Sequence, residues 1–319
     1  MRVIFFGTPL FAARVLEYLL QQKVNIVAVV SKPDRPKGRS GLPVPTPVKT
    51  AAFLSHLLLP IFQPDVVSAP EFTDVLKNLE PDLFVVVAYG EILKQHLLDI
   101  PHKACINLHA SLLPKYRGAA PIQRCIIEGE RESGVTIMHM VKKMDAGDMI
   151  SKVTVSIGPD TIFGELEQAL CEAGKQALLE VIQIFEEREP PRISQDHTQA
   201  TLAPKIELED CEINWNLPAQ QLHNLIRGVN PYPGAWCYVL IKGEKKRLKI
   251  NRSKILSCPS EGNLAGSILN IHQTKSNIVI ATGDQALELL EIQLEGKKRM
   301  SSEELSRGIS RSQIDFFRN

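Results

Sequence analysis

The sequence predicts an α/β fold: a doubly wound, parallel-rich sheet in the first part of the chain, joined to a small β-barrel. Three observations carry this. The first part alternates short, nearly continuous apolar runs with helical periodicity, the pattern of strands covered on both faces by crossover helices. Around Glu189-Pro190-Pro191 a polar stretch interrupts the alternation. Beyond it, short strand-like runs are separated by glycine and polar turns. At 319 residues the chain exceeds one typical domain. The expected division is residues 1–189 for the α/β domain, 190–206 for a linker and 207–319 for the barrel.

Arg2 to Phe6 is a β-rich run closed by Gly7-Thr8-Pro9, after which Phe11, Val15, Leu16, Leu19 and Leu20 share one helical face. Asn25 to Ser31 is a second apolar strand, which completes a βαβ opening. Lys32 to Pro47 follows as a loop holding five prolines and two glycines, too long to be only a connector. Lys32, Arg35, Lys37 and Arg39 make it basic, and it reads equally as a solvated surface loop or a functional arm. Pro60-Ile61-Phe62, a helix from Ala69 to Leu79 and a strand from Leu83 to Ala88 continue the alternation. Ala104-Cys105-Ile106 leads into Asn107 to Pro114, and a helix is expected over Ile122 to Glu128. A strand from Met149 to Val155 precedes a long helix from Ile162 to about Glu187, with Leu166, Leu170, Ala173, Ala177, Val181 and Ile184 on one stripe. The barrel strands are Ala235 to Ile241, Arg247 to Ile250, Gly266 to Ile271, Asn277 to Ala281 and Ala286 to Leu294.

Lys+Arg 37 against Asp+Glu 36 leaves a formal net charge of +1, so a polyanion must be met by local basic patches. Lys242, Lys245, Lys246, Arg247, Lys249, Arg252 and Lys254 crowd one segment in which Glu244 is the one acid, and Lys297-Lys298-Arg299 forms a second run. Two such runs, with the basic loop, favour a phosphate-rich partner over a solvated face. The six cysteines are scattered without a C-x-x-C pair, which points to buried thiols in a reducing compartment. Met1-Arg2 runs straight into a strand and no apolar run reaches spanning length, so a cytoplasmic protein with no membrane partner is expected.

Asn107 and His109 alternate along a strand and therefore point the same way. An amide beside an imidazole suits a reaction that builds negative charge on a carbonyl oxygen, and Asp145 in Met144-Asp145-Ala146-Gly147-Asp148 is placed to orient or charge that imidazole. The turn Gly7-Thr8-Pro9 lacks the further glycines of a pyrophosphate cradle, and Pro9 removes a donor, which disfavours a nicotinamide or flavin cofactor. The histidines lack helical metal-site spacing, so no metal is expected.

FFGTPLFA, KPDRPKGR, VVVAYGEIL, INLHASLLPKYRGAAPIQR, GVTIMHMVKKMDAGDM, ATLAPKI and NPYPGAW span nearly the whole chain. Together they resemble the methionyl-tRNA formyltransferase family. Other folate-dependent formyltransferases, including those acting on nucleotide sugars, are similar around Asn107 to Pro114 and at Asp145, and remain the alternative. The resemblance implies a Rossmann-like domain and an OB-like barrel. It also implies transfer of the formyl group of 10-formyltetrahydrofolate to the α-amino group of methionyl initiator tRNA, with Asn107, His109 and Asp145 as catalytic residues. The folate, a substrate and no permanently bound cofactor, would lie along Ser111, Leu112, Leu113 and Pro114, with its pterin near Tyr89, Gly90, Ile92 and Leu93. Lys37 and Arg39 fall where the family probes the acceptor stem, although Ser40-Gly41-Leu42-Pro43 replaces its frequent further lysines. Lys245, Lys246 and Arg247 are the expected tRNA contacts of the barrel, and the chain is expected to act as a monomer.

Overall fold

The structure, a computed structural model, describes residues 1–36, 41–55, 58–259, 262–270, 277–309 and 313–316. In chain order the first elements are β1 (Val3–Gly7), α1 (Leu10–Gln21), β2 (Ile26–Val30), β3 (Arg35–Pro36), β4 (Pro43–Val44), α2 (Pro47–Leu54), β5 (Ile61–Phe62), α3 (Pro70–Asn78), β6 (Leu83–Val87) and α4 (Gln95–Leu98). They are followed by β7 (Ala104–His109), α5 (Pro121–Ile127), β8 (Glu132–His139), β9 (Met149–Ser156) and α6 (Phe163–Glu187). The later part holds α7 (Ala219–Gly228), β10 (Ala235–Ile241), β11 (Glu244–Pro259), β12 (Ile268–Leu269), β13 (Ile278–Ala281), β14 (Gln285–Leu294), β15 (Met300–Ser301), α8 (Ser302–Gly308) and β16 (Ile314–Phe316).

Two compact units emerge. The first comprises Met1–Pro121, Glu132–Ser156 and Glu167–Pro204; the second comprises Ile122–Arg131, Ile157–Leu166 and Lys205–Asn319.

The first unit is built on a sheet of order β5-β2-β1-β6-β7-β8-β9. It is parallel up to β7, and β8 and β9 then run antiparallel. Every residue of β1 and β6 is buried, as continuous apolar runs require when helices cover both faces. Within α6 the inward face is Leu170, Cys171, Leu178, Val181, Ile182 and Phe185, whereas the expected stripe residues Ala173 and Ile184 are only partly buried. The basic loop contains β3 and β4, a short antiparallel pair that the proline content concealed. It then enters α2 through Thr46, whose side chain caps the Lys49 N–H.

The second unit is an antiparallel, near-closed barrel of strand order β12-β13-β14-β11-β10-β16, with β15 beside β14. Its core includes Trp215, Leu222, Leu248, Ile250, Ile280, Leu287, Leu289 and Ile292. Buried Arg227 of α7 donates to the carbonyls of Gly158 and Thr161 and, at 3.4 Å, of Ile126, which ties both earlier segments to this unit. Among the described residues, no helix is long and apolar enough to cross a membrane. Five of the six cysteines are buried and none is disulfide-bonded; burial pushes the Cys171 thiol up to about 11.

Candidate functional site

Asn107 and His109 leave β7 on one face, two residues apart. β7 is the strand at which the sheet changes direction, flanked by parallel β6 and antiparallel β8. Asn107 is the one residue of β7 that is not buried, and its side-chain amide has no hydrogen-bond partner among the described residues.

His109 is buried, and its Nε2 lies 2.9 Å from the Tyr116 carbonyl oxygen. A carbonyl only accepts, so that nitrogen carries a hydrogen. Nδ1 faces Asp145 Oδ2 at 3.8 Å. Both ring nitrogens therefore face oxygens, Nε2 at hydrogen-bond distance and Nδ1 beyond it. The same Asp145 oxygen accepts the Gly118 N–H at 2.8 Å, a charge-assisted bond that fixes the carboxylate.

Two glycines make this possible. A Cβ at Gly147 would lie 1.8 Å from the His139 carbonyl oxygen, so the turn carrying Asp145 seats on β8 only with glycine there. Gly118 has φ +123, and a Cβ would lie 2.7 Å from the Ala203 carbonyl oxygen. That close approach reflects a strand-like pairing: Arg117 N donates to Thr201 O, Ala203 N donates to Arg117 O, and Ala120 N donates to Ala203 O.

The loop after β7 is pinned to β8 by Thr136. Its hydroxyl donates to the Ser111 carbonyl at 2.7 Å and accepts the Leu113 N–H at 3.2 Å. Ser111 and Leu113 are buried, while Leu112 and Pro114 are partly exposed. In the other expected folate segment, Gly90 and Ile92 are exposed but Tyr89 and Leu93 are buried. Tyr89 packs edge-on against Phe6 at 5.6 Å, and burial, with the charge of Glu91, raises its hydroxyl well above the usual phenol range. Glu91 accepts from Lys32 Nζ at 2.6 Å and from Val67 N at 3.1 Å, which anchors the segment. The side chains of Tyr89, Leu93, Ser111 and Leu113 therefore face inward, and those of Ile92, Leu112 and Pro114 reach the surface.

Arg117, Thr136 and Gln195 are missing from the expected site residues. Arg117 had a cue in the glycine beside it, but Gln195 lies in a polar stretch with no local signal. The expected linker nonetheless serves this site through Pro204, since Gln195 is buried there and Thr201 to Ala203 pair with the Arg117 loop.

Lys37 and Arg39 lie outside the described residues. At the foot of their loop, Asp34 accepts from Gln63 and Lys49, each at 2.6 Å, and those bonds hold its carboxyl below the usual range. In the barrel, Lys245 and Arg247 share one face of β11, opposite Lys246. Lys245 Nζ lies 4.0 Å from the centre of the Tyr238 ring, and the Arg247 guanidinium lies 4.1 Å from the centre of the Trp236 ring. Lys249 adds to this face, Arg299 pairs with Glu291 at 3.5 Å, and burial followed by the Arg247 and Arg299 charges lowers the Lys249 ammonium. Lys246 instead pairs with Glu244 at 2.8 Å.

Residues 1–182 match the formyl transferase family and residues 205–310 match the formyl transferase C-terminal domain. The chain is 67% identical over 319 residues to the methionyl-tRNA formyltransferase of Protochlamydia amoebophila, covering 100% of this chain and 98% of that protein. Two solved structures share the fold. An N-formyltransferase from Helicobacter canadensis, in complex with folinic acid and dTDP-3-aminofucose, superimposes with a TM-score of 0.65 at 19% identity, covering 90% of this chain and 98% of that one. HypX from Aquifex aeolicus, in complex with tetrahydrofolic acid, gives 0.62 at 17% identity, covering 96% of this chain, which spans only 47% of HypX. The full-length identity and the two family matches place the chain together: it belongs to the methionyl-tRNA formyltransferase family.

Proposed function

We propose that the site around Asn107, His109 and Asp145 moves the formyl group of 10-formyltetrahydrofolate onto the α-amino group of methionyl initiator tRNA. The observation that carries this is the Asn107 amide, without a partner among the described residues, beside a histidine whose ring nitrogens both face oxygens. An open donor and a cationic neighbour suit an oxygen that gains charge during reaction.

The amine lone pair forms a bond to the formyl carbon, and the carbonyl π electrons move onto the oxygen. Asn107 donates to that oxyanion and a protonated His109 stabilises it. Collapse breaks the bond to N10 of the folate, which takes up a proton while the attacking nitrogen loses one. Asp145, held by the Gly118 N–H, keeps His109 oriented and assists that proton transfer. Ile92, Leu112 and Pro114 offer apolar surface to the folate, supported by the buried residues beneath them.

For the acceptor, the cationic face of Lys245, Arg247 and Lys249 supports a phosphate backbone partner, held by charge instead of base reading. Lys37 and Arg39 are proposed as the acceptor-stem contact. One assay tests both halves: 10-formyltetrahydrofolate offered with methionyl initiator tRNA and with a nucleotide-linked amino sugar. Formylation of the tRNA is expected. Formylation of the sugar alone, or of neither, would overturn the proposal.

A further inference from the structure

Gln195 is buried although nothing in its sequence neighbourhood is apolar enough to require it. Its side chain spends all its hydrogen-bonding capacity on the two arms of the candidate site. Nε2 donates to the Asp145 carbonyl at 2.9 Å and to the Gly147 carbonyl at 2.7 Å. Oε1 accepts from Arg117 Nε at 3.2 Å and Nη2 at 2.5 Å. Arg117 Nη2 also lies 2.9 Å from His197 Nδ1, so the arginine is fixed from both sides.

Arg117 directly precedes Gly118, whose N–H holds the Asp145 carboxylate. One amide therefore joins the turn that carries the carboxylate to the loop that holds it. A primary amide suits this post because it alone among the ordinary side chains of that length offers two donors to carbonyls and an acceptor to a guanidinium.

We infer that Gln195 is a positioning residue, which sets the Asp145 carboxylate against His109 by tying the Asp145–Gly147 turn to the Arg117–Gly118 loop. This rests on the proposal that Asp145 and His109 serve formyl transfer. A misplacement of about 1 Å in such a group costs on the order of 10²-fold in rate. It leaves substrate contacts made elsewhere untouched.

The test is a double-mutant cycle on the full chain, measured as kcat and KM for formylation of methionyl initiator tRNA. Gln195→Ala and Gln195→Glu are each made in the native and the Asp145→Ala backgrounds. Gln195→Glu keeps the shape and the acceptor toward Arg117 while placing an oxygen against the two carbonyls, so it carries the test if Gln195→Ala does not fold. In the native background kcat is expected to fall by roughly 10²-fold with KM little changed. In the Asp145→Ala background neither substitution should cost more than about twofold, since the group being positioned is gone. Equal losses in both backgrounds, or a loss confined to KM, would overturn the positioning role and leave the site proposal standing. Native turnover by Asp145→Ala alone would instead overturn the site proposal, and this inference with it.

Discussion

The polar cluster around Asp145 and the cationic face of β11 are built in opposite ways. In the first unit, Asp145, Arg117 and Gln195 are each held by partners far away in the chain, His109 is held by Tyr116 of the following loop, and the group left open among the described residues is the Asn107 amide. In the barrel, Lys245 and Arg247 come from one strand and rest on aromatic rings of the next. Stabilising a short-lived charge requires donors fixed before it forms, and fixing them consumes buried hydrogen bonds from several segments. On the proposed function the barrel face holds a phosphate backbone, which requires charge density at a surface, and most of that charge comes from one strand.

The largest effect that separates the two regions should come from Asn107→Ala. The substitution removes a side chain with no partner among the described residues, so folding should be preserved, while formyl transfer falls by roughly 10²–10³-fold. Near-normal turnover would remove the oxyanion role. Gly147→Ala should act on the same site through the backbone. The added methyl cannot coexist with the His139 carbonyl, so unfolding should be easier by about 1–3 kcal/mol and activity should fall with it. A melting temperature unchanged from the native chain would show that the turn has room to move.

The barrel should respond differently. Arg247→Ala and Lys245→Ala should weaken tRNA binding and each reduce the salt dependence of affinity by about one unit of slope, whereas Lys246→Ala, on the other face and paired with Glu244, should change it less. An equal effect of all three would mean that the strand's two faces are not distinguished. The smallest effect concerns pH. Burial lowers both His139 in the first unit and His223 in the second from 6.5. The unfolded chain then takes up protons first as pH falls, so stability is full above about 6.5 and declines below it. His223→Gln should flatten part of that decline in a thermal melt. An unaltered slope would assign the decline to other groups.

The contrast between the regions also explains how much was readable in the sequence. Strands with continuous apolar runs, such as β1, β2 and β6, appear close to their expected bounds, and α1 covers its expected apolar face, because burial on both faces of a sheet writes itself into composition. The pair Asn107 and His109 was accessible from strand alternation alone. β8 and α7 were not anticipated: β8 mixes Glu132, Ser133 and Thr136 into its apolar residues, and α7 buries polar His223, Asn224 and Arg227. The roles of the Gln195 and Arg117 side chains were hidden for a deeper reason, although the glycine beside Arg117 gives a cue to its loop. Their importance lies in hydrogen bonds spanning 78 residues between Arg117 and Gln195, and neither periodicity nor spacing records such a pairing. The barrel's charge run is legible in the sequence, and the alternation of the strand adds that Lys246 lies on the face opposite Lys245 and Arg247.

The central claim is that chemistry resides in the first unit and acceptor affinity in the second. Steady-state formylation of methionyl initiator tRNA by Asn107→Ala and by the double variant Lys245→Ala, Arg247→Ala tests it most directly. The claim predicts that Asn107→Ala lowers kcat with KM for the tRNA unchanged, and that the double variant raises that KM while kcat at saturation stays native. A double variant that loses kcat at saturating tRNA, or an Asn107→Ala enzyme whose defect lies wholly in KM, would contradict it.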